Sequence, residues 1–352
     1  MTSLRARIPA LVASALLFTL LSTALAPADA SAQELPTEFQ WSSSGPLIAP
    51  QPDAAHDIVS VKDPTVVHHD GAWHVFATTA NTDGAWHLTY LTFTDWDQAG
   101  SARQHHLDTT PIGPGYRAAP QVFYFAPQQM WYLVYQTGPP SYSTNTDISD
   151  PDGWTAPRTF IDEVPPIVEE NGDGFWLDFW VTCDTATCHL FASDDNGHLY
   201  RAETSAGSFP DGFAGAETEI ALEDGKYDLF EASNVYKVAG SDTYLLIVEA
   251  IGASGRRYFR SWTSTALDGQ WTPLAATEGA PFAGAANVDF PAGRWTEDIS
   301  HGELIRSGTD QAMEIDPCGL RYLYQGMDPS SGGDYSQLPW RLGLLTQTNS
   351  AC

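Results

Sequence analysis

Short strand-like runs recur five times along this 352-residue chain, and the repetition limits the folds that it can adopt. In each copy two apolar runs are separated by a turn, as in residues 64–69 and 72–77, which flank Asp70 and Gly71. The copies begin near residues 63, 120, 178, 231 and 298, so successive starts are 57, 58, 53 and 67 residues apart. Helical periodicity is nearly absent, and the runs are bounded by Gly, Asp, Asn and Pro. These patterns predict an all-β chain.

Five units of one four-stranded sheet each predict a five-bladed β-propeller. A β-sandwich and a β-helix are the alternatives, because the copies share a pattern rather than identical residues. A β-helix repeat is much shorter, however, and a sandwich would not repeat a two-strand signature five times. The innermost strands of a propeller line its central axis, so that side chains at one end of these strands converge. No linker divides residues 33–352, and we expect them to form one domain.

The first 32 residues are typical of an export signal. Arg5 and Arg7 precede a largely apolar run, 8–25, and residues 28–32 offer small-residue cleavage sites. A membrane anchor is the alternative, but polar residues interrupt the run and the cleavage sites follow it. We therefore expect a secreted, extracellular chain that begins near Gln33.

The charge of the chain narrows the range of its partners. Asp and Glu total 44 against 16 Lys and Arg, which gives a formal net charge of −28. Proteins that bind nucleic acid use basic residues to displace counterions, so this balance argues against nucleic acid as a partner. It is compatible with a neutral polysaccharide, and also with the solubility of a secreted protein alone.

Four cysteines in an exported chain suggest disulfide bonds. Cys183 and Cys188 flank four residues between two apolar runs and can join the strands of a hairpin, which leaves Cys318 and Cys352 as a second pair. The sequence alone permits three connectivities. A zinc site built from cysteines is not expected, because there is no second close pair.

Three acidic motifs begin strand-like segments at a spacing close to the repeat. They are Lys62-Asp63-Pro64-Thr65, Trp176-Leu177-Asp178-Phe179-Trp180 and Phe230-Glu231-Ala232-Ser233. Asp63 and Asp178 are two repeats apart and Glu231 follows one repeat later, so the three carboxylates are expected at the same phase and near a shared centre. Asp before Pro is also a frequent turn opener. Asp178 and Glu231 have large apolar neighbours, where an unpaired charge is costly.

Such a trio suits glycoside hydrolysis, which needs a protonated acid at the leaving oxygen and an ionised base or nucleophile on the other face of the sugar. Asp63 suits the base and Glu231 the acid. Asp178 suits a modulator that raises the pKa of the acid. No Gly-rich phosphate loop, Gly-x-Ser-x-Gly elbow or His-Glu-x-x-His motif is present in the sequence.

Three further polar residues have both a functional and a structural interpretation. His301 occupies the inner-strand position of the fifth copy, where it is either a hydrogen-bonded core residue or a ligand of a water-rich Ca²⁺ site. Lys62 is placed to bind a sugar hydroxyl or to keep Asp63 ionised, and a solvated lysine is the alternative. Arg257, after Gly255, either reaches the pocket or caps a blade.

Aromatic residues in loop-like stretches are candidates for sugar platforms, because aromatic faces stack on sugar rings. Tyr335, on a late loop, is the first candidate. Trp86, Tyr142 and Trp154 are weaker candidates, and most of the other tryptophans are expected in the core.

As a set, these motifs resemble glycoside hydrolase family 62, the secreted α-L-arabinofuranosidases that act on arabinoxylan. The resemblance covers nearly all of the chain after the signal. Its most specific segments are 176–181 (WLDFWV), 194–201 (DDNGHLYR), 244–252 (YLLIVEAIG), 255–262 (GRRYFRSW) and 298–306 (DISHGELIR).

The resemblance implies a five-bladed propeller, inversion at the anomeric carbon, and the roles of base, pKa modulator and acid for Asp63, Asp178 and Glu231. It further implies that His301 holds Ca²⁺ near the axis, largely with waters. Lys62 matches a residue of the arabinose pocket, and Tyr335 matches an aromatic of the pocket or cleft.

We therefore expect an exo-acting α-L-arabinofuranosidase, monomeric and without a membrane anchor, that removes arabinofuranosyl side groups from arabinoxylan or arabinoxylo-oligosaccharides. A related propeller glycosidase, such as a β-xylosidase or an arabinanase, uses the same three-acid layout. A non-catalytic glycan-binding propeller is the alternative from another class, and it would need no acid at residue 231.

Overall fold

The computed structural model of the chain describes residues 1, 2, 34–350 and 352. The predicted export signal, residues 1–32, lies almost wholly outside the described residues. Within the described part, no helix is long and apolar enough to cross a membrane. Short strands dominate, and they form the five-bladed β-propeller that the repeats predict.

The first four blades follow one another along the chain, each as an antiparallel sheet whose strands are in sequence order. Strand β1 (Trp41–Ser43) precedes them. Blade one contains β2 (Ile58–His69), β3 (Ala72–Asn81), β4 (Trp86–Phe93) and β5 (His105–His106), and blade two contains β6 (Ala118–Phe125), β7 (Met130–Gln136), β8 (Pro140–Asn145) and β9 (Arg158–Thr159). Blade three contains β10 (Leu177–Cys183), β11 (Thr187–Ser193), β12 (His198–Ser205) and β13 (Thr218–Glu223), and blade four contains β14 (Glu231–Val238), β15 (Tyr244–Ile251), β16 (Arg257–Ser264) and β17 (Thr272–Pro273).

The fifth blade joins β1 with the last strands of the chain. The remaining strands are β18 (Ala276–Thr277), β19 (Ala280–Pro281), β20 (Val288–Asp289), β21 (Ser300–Leu304), β22 (Glu314–Ile315), β23 (Arg321–Gly326) and β24 (Arg341–Gln347). The order in this blade is β20-β1-β24-β23-β21, with β1 antiparallel to β24 and parallel to β20. Strands β18 and β19 form a separate hairpin, and β22 pairs in parallel with β14 of blade four.

Helical structure in the described residues is limited to short segments between strands. These are α1 (Pro166–Asn171) and the 3₁₀ turns Trp96–Ser101, Leu107–Thr109, Ala126–Gln128, Asp211–Gly215 and Tyr335–Gln337.

The predicted hairpins and disulfides are present. Asp70 (φ 48°) and Gly71 (φ 78°) are both left-handed between β2 and β3, as a tight hairpin turn requires. Cys183 is bonded to Cys188 across the β10–β11 hairpin, and Cys318 is bonded to Cys352.

Every innermost strand contains a β-bulge near its start, which displaces the register by one residue. The register shifts lie between Lys62 and Thr65, Ala118 and Gln121, Leu177 and Trp180, Glu231 and Asn234, and Ser300 and Gly302. In the first four blades the bulge contains a left-handed residue, namely Asp63 (φ 49°), Ala119 (φ 49°), Asp178 (φ 56°) and Ala232 (φ 56°). Such bulges re-aim side chains and occur next to active sites.

The bulges are joined into a ring, because one backbone N–H in each bulge donates to a side chain of the preceding blade. The pairs are Ala119 N to Thr78 Oγ1 (2.9 Å), Asp178 N to Gln136 Oε1 (3.0 Å), Ala232 N to Asp178 Oδ2 (2.8 Å), His301 N to Glu249 Oε2 (2.6 Å) and Asp63 N to Gln325 Oε1 (2.6 Å). We call this set the bulge ring. It fixes the backbone of each blade where the innermost strands converge.

Four of the five acceptors in the bulge ring occupy one register position. Thr78, Gln136, Glu249 and Gln325 lie on the second strands of their blades, opposite Lys62, Ala118, Glu231 and Ser300. In blade three this position is Ser193, opposite Leu177, and its hydroxyl has no hydrogen-bond partner among the described residues. The carboxylate of Asp178 accepts the hydrogen bond from blade four instead.

Candidate active site

A cavity of about 380 Å³ lies where the bulged strands converge. Its lining includes all seven of the site residues predicted from the sequence, namely Lys62, Asp63, Asp178, Glu231, Arg257, His301 and Tyr335. The lining is completed by Trp86, Tyr116, Gln136, Phe175, Leu177, Asp195 and Phe230. Residues that are up to 273 positions apart in the sequence therefore surround one space.

Asp63 lies between the side chains of Lys62 and His301. Its Oδ2 is 3.5 Å from Lys62 Nζ, and its Oδ1 is 3.4 Å from His301 Nδ1. Lys62 and Asp63 are only 4% and 5% exposed, so these contacts are little screened by solvent. Left-handed backbone is tolerated by Asp better than by most residues, and the bulge turns the carboxylate into the cavity.

Asp178 is the second carboxylate at the left-handed position of a bulge. Burial raises its pKa well above the ordinary value, and the charges of Glu231 and Asp63 raise it further. The hydrogen bond from Ala232 N opposes this shift. His301 Nδ1 is 3.7 Å from Asp178 Oδ2, so the imidazole lies between the carboxylates of Asp63 and Asp178. The raised pKa keeps one negative charge out of a crowded acidic site.

Glu231 departs from the predicted phase by one residue. The left-handed position of blade four is Ala232, so Glu231 is equivalent to Lys62 and Leu177 rather than to Asp63 and Asp178. The prediction of one common phase is therefore right for the two aspartates and wrong for the glutamate. A side chain one carbon longer still reaches the same cavity from this position.

Arg257 bridges two glutamates. Its Nη1 lies 2.6 Å from Glu231 Oε1 and also donates to Glu249 Oε1. The guanidinium carbon is 4.8 Å from the centre of the Phe230 ring. Burial alone would lower the pKa of Arg257, but Glu249 and Glu231 raise it above its ordinary value, so the side chain remains charged. Of the two sequence interpretations, the structure places Arg257 in the cavity and against the predicted acid.

Glu249 is a site residue that the sequence reasoning missed. It is fully buried behind Arg257, and its Oε2 accepts hydrogen bonds from Ser300 Oγ (2.8 Å) and His301 N (2.6 Å). Burial raises the pKa of Glu249 to about 7, with Arg257 opposing the shift and Glu231 adding to it. The sequence does contain a sign of its role, because Glu249 is a lone carboxylate in the apolar run of β15, where a charge needs a partner.

Asp195 is the second missed carboxylate. Burial, followed by the charges of Glu231 and Asp178, raises the pKa of Asp195 to about 9. Its Oδ1 is buried and has no hydrogen-bond partner among the described residues. In the sequence Asp195 looks like one more residue of a turn. The residue that caps this turn is Asp194, which accepts from Asn196 N at 2.8 Å. Asp195 has no such role and lines the cavity.

Aromatic side chains form one wall of the cavity. Lys62 Nζ lies 3.5 Å from the centre of the Trp86 ring and 5.3 Å from that of Tyr335. Trp86 Nε1 donates to the carbonyl of Ser336 at 3.3 Å, which ties the Tyr335 loop to blade one. Gly84 (φ 77°) permits this approach, because a Cβ there would lie 2.5 Å from Ser336 Oγ.

Two weaker platform candidates are wrong. Tyr142 is 2% exposed and Trp154 is 1% exposed, so neither can stack on a sugar. Tyr142 packs against Phe160 with ring centres 4.6 Å apart, and Trp154 packs edge-on against Phe76 at 5.5 Å. Both belong to the core between blades, whereas Trp86 lines the cavity.

The chemistry of the cavity fits a bound cation. Its lining offers oxygen atoms from four carboxyl groups, those of Asp63, Asp178, Asp195 and Glu231. Ca²⁺ prefers carboxylate and water oxygens, and His301 lies between two of these carboxylates.

Comparison with known proteins agrees with this geometry. The family model described as glycosyl hydrolase family 62 matches residues 40–346. The catalytic domain of a family 62 α-L-arabinofuranosidase from Coprinopsis cinerea is 62% identical, with a TM-score of 0.87, over 90% of this chain and 100% of that one. A family 62 hydrolase solved in complex with xylotriose is 50% identical, with a TM-score of 0.85, over 88% of this chain and 98% of that one.

A curated relative, α-L-arabinofuranosidase C of Cellvibrio japonicus, is 45% identical over 316 residues, which are 89% of this chain and 48% of that protein. The chain thus spans about half the length of this relative. The family match, the identities and the shared architecture agree, and the chain belongs to glycosyl hydrolase family 62.

Proposed function

We propose that the protein is a secreted, exo-acting α-L-arabinofuranosidase that releases arabinofuranosyl side groups from arabinoxylan with inversion of configuration. The observation that carries the proposal is the convergence of Asp63, Asp178 and Glu231 on one cavity of about 380 Å³. That volume lies near the lower end for small-ligand sites, which suits a terminal sugar rather than a polysaccharide backbone. The names of the relatives and the xylotriose bound to one of them support the substrate class.

In this mechanism Asp63 is the general base. It takes a proton from a water that attacks the anomeric carbon from the face opposite the xylan oxygen. Lys62 and His301 flank its two carboxylate oxygens at 3.5 and 3.4 Å and hold the carboxylate in position. An inverting site needs about 6.5 to 9.5 Å between acid and base to hold this water.

Glu231 is the general acid, and its proton passes to the xylan oxygen as the glycosidic bond breaks. Arg257 fixes the position of Glu231 through the 2.6 Å contact. Asp178 shares the cavity and is joined by a hydrogen bond to Ala232, the residue after the acid. Burial and the charges of Glu231 and Asp63 raise the pKa of Asp178, which suits it to the role of modulator rather than to that of base.

His301 would hold Ca²⁺ together with water, near the carboxylates of Asp63 and Asp178. When bound, the ion supplies positive charge that stabilises neighbouring carboxylates. A ligand that binds only the native state raises the melting temperature. We therefore expect EGTA to lower the melting temperature and Ca²⁺ to restore it. In the His301→Ala variant, EGTA should have little effect, and an equal effect in both proteins would assign any Ca²⁺ to another site.

Product analysis tests the substrate assignment against the related propeller glycosidases. Purified enzyme is incubated separately with wheat arabinoxylan, an aryl xyloside and linear arabinan. We expect arabinose as the first product from arabinoxylan, and ¹H NMR of that product should show the β-anomer before mutarotation. Release of xylose without arabinose would refute the substrate assignment, and a first-formed α-anomer would refute inversion.

Two variants test the assignment of acid and base. Glu231→Gln should lose about 10²- to 10⁴-fold activity on arabinoxylan, the usual contribution of a general acid. It should lose far less on a nitrophenyl arabinofuranoside, because nitrophenolate departs without a proton. Asp63→Asn should lose activity on both substrates, because both need the activated water.

Asp70→Asn is the matched control, since this carboxylate is exposed on a hairpin turn and Asn tolerates the same left-handed backbone. It should keep full activity.

Oligosaccharide binding to Glu231→Gln, measured by calorimetry, should persist. Full activity of the Glu231→Gln variant on arabinoxylan would mean that the acid is another residue. It would not support the non-catalytic glycan-binding alternative, because the protein would still be an enzyme.

A further inference from the structure

Three histidines converge at the outer edge of blade one, away from the predicted catalytic carboxylates. They are His56 on the loop before β2, His87 on β4 and His106 on β5. One ligand atom from each lies within 4.8 Å of the others. His87 Nε2 and His106 Nδ1 are 3.2 Å apart, and the rings of His56 and His106 are stacked with centres 3.9 Å apart.

Two carboxylates orient these rings. Asp53 Oδ1 is 3.0 Å from His56 Nδ1, and Asp53 Oδ2 is 3.8 Å from His106 Nε2. Asp53 thus lies beside one nitrogen of each ring, and the other nitrogens, His56 Nε2 and His106 Nδ1, are left for other partners. Metal-binding histidines commonly donate their outer N–H to a carboxylate, which fixes the tautomer and the ring orientation, and the hydrogen bond between His56 and Asp53 has this form.

Asp108 lies on the inner side of the cluster. Its Oδ2 is 3.3 Å from His56 Nε2. Its Oδ1 is buried and has no hydrogen-bond partner among the described residues. A buried carboxylate oxygen without a donor is costly. The cluster therefore combines three imidazoles with a carboxylate, Asp108, one oxygen of which has no hydrogen-bond donor among the described residues.

We propose that His56, His87, His106 and Asp108 bind a Zn²⁺ ion, with Asp53 as the outer carboxylate that orients the imidazole of His56. Three nitrogens and one oxygen form a donor set that Zn²⁺ accepts in tetrahedral geometry. Neutral imidazole is the binding form.

The ion would join three separate segments of the chain, because its ligands come from a loop, from β4 and from the edge of blade one. His56, His87 and Asp108 line a surface cavity together with Trp86 and Tyr116. Trp86 and Tyr116 also line the catalytic cavity. Zinc would therefore stabilise the fold and hold the aromatic wall, without touching the predicted catalytic carboxylates.

The test uses untagged protein that has been stripped of metal by dialysis against a zinc-selective chelator. Titration with Zn²⁺ in calorimetry and metal analysis after gel filtration should give one ion per chain, and Zn²⁺ should raise the melting temperature. Co²⁺ in place of Zn²⁺ should give the visible absorption of a tetrahedral nitrogen and oxygen site. Saturating Ca²⁺ should not displace either ion, which separates this site from that proposed at His301.

Substitutions locate the ligands. His106→Gln should weaken Zn²⁺ binding more than tenfold, whereas His105→Gln, the adjacent histidine outside the cluster, should bind as the wild type does. Asp53→Asn should weaken binding by about 10- to 100-fold, as loss of an outer partner usually does. If His106→Gln does not fold, Asp108→Asn on the short 3₁₀ turn provides the same test. Absence of stoichiometric Zn²⁺, or equal binding by His106→Gln and His105→Gln, would overturn the proposal and leave a hydrogen-bonded histidine cluster.

Discussion

Glu249 connects the predicted acid to the fifth blade, and its replacement gives a graded prediction. One oxygen accepts from Arg257, and the other accepts from Ser300 Oγ and His301 N. The side chain is fully buried, so water cannot replace these partners without rearrangement. Two substitutions separate its contacts: Glu249→Gln removes the charge and keeps one acceptor oxygen, whereas Glu249→Ala removes both acceptors.

The size of each effect follows from the number of partners lost. In Glu249→Gln the amide oxygen can still accept from Ser300 and His301, and only the charged hydrogen bond to Arg257 is lost, which costs about 1.5 to 3 kcal/mol. In Glu249→Ala the two further donors are left without this acceptor, at about 1 to 3 kcal/mol each. The Ala variant should therefore be less stable than the Gln variant by about 2 to 6 kcal/mol.

The assay is urea unfolding followed by tryptophan fluorescence, with Glu314→Gln on the exposed edge of β22 as the control. Initial rates on arabinoxylan are measured in parallel. We expect both Glu249 variants to lose activity, because Arg257 is then held by Glu231 alone. Equal stabilities of Glu249→Gln and Glu249→Ala would refute the reasoning, since they would mean that the hydrogen bonds to Ser300 and His301 contribute nothing.

Three further predictions concern other parts of the molecule. The pKa of Asp195, about 9 in the folded chain, lies above its unfolded value of about 3.9, so the wild type loses stability as pH rises between these values. The melting temperature of Asp195→Asn relative to wild type should therefore increase from pH 5 to pH 9, and a constant difference would contradict the raised pKa. Gln136→Ala removes the acceptor of Asp178 N in the bulge ring and should cost about 1 to 3 kcal/mol in urea unfolding, whereas Gln270→Ala, an exposed control, should have little effect. Replacing the Cys318–Cys352 pair by serines should cost about 4 kcal/mol and replacing Cys183–Cys188 about 2 kcal/mol, because the loops closed span 34 and 5 residues, and the opposite order would refute the loop-entropy argument.

The sequence predicted those parts of the fold that local patterns encode. The copies near residues 63, 120, 178, 231 and 298 correspond to innermost strands that begin at Ile58, Ala118, Leu177, Glu231 and Ser300. Hairpins depend on neighbouring residues, so their turns are visible in the sequence. The closure of the fifth blade by β1 and β24 depends on residues about 300 positions apart, and no local periodicity records such a pairing.

The residues of the candidate site also divide into those that local sequence predicted and those that it did not. The predicted carboxylates stood out because apolar neighbours surround Asp178 and Glu231, and all the predicted site residues line the cavity. Asp195 was hidden by a turn sequence, and Glu249 by a strand that places it behind Arg257 rather than on the cavity wall. The one-residue offset of Glu231 arises from the bulge, which is defined by pairing with β15 and not by the sequence of β14 alone.

Asp178 has a second task that complicates any mutational study of its chemistry. Its carboxylate is the acceptor that links blade three to blade four, whereas the hydroxyl of Ser193, at the position that Gln136 and Gln325 fill in blades two and five, has no hydrogen-bond partner among the described residues. Removal of the Asp178 carboxylate therefore weakens the contact between blades three and four and, at the same time, changes the reaction. An acceptor introduced at residue 193 would carry the structural task alone and leave Asp178 free to be judged as a catalytic group.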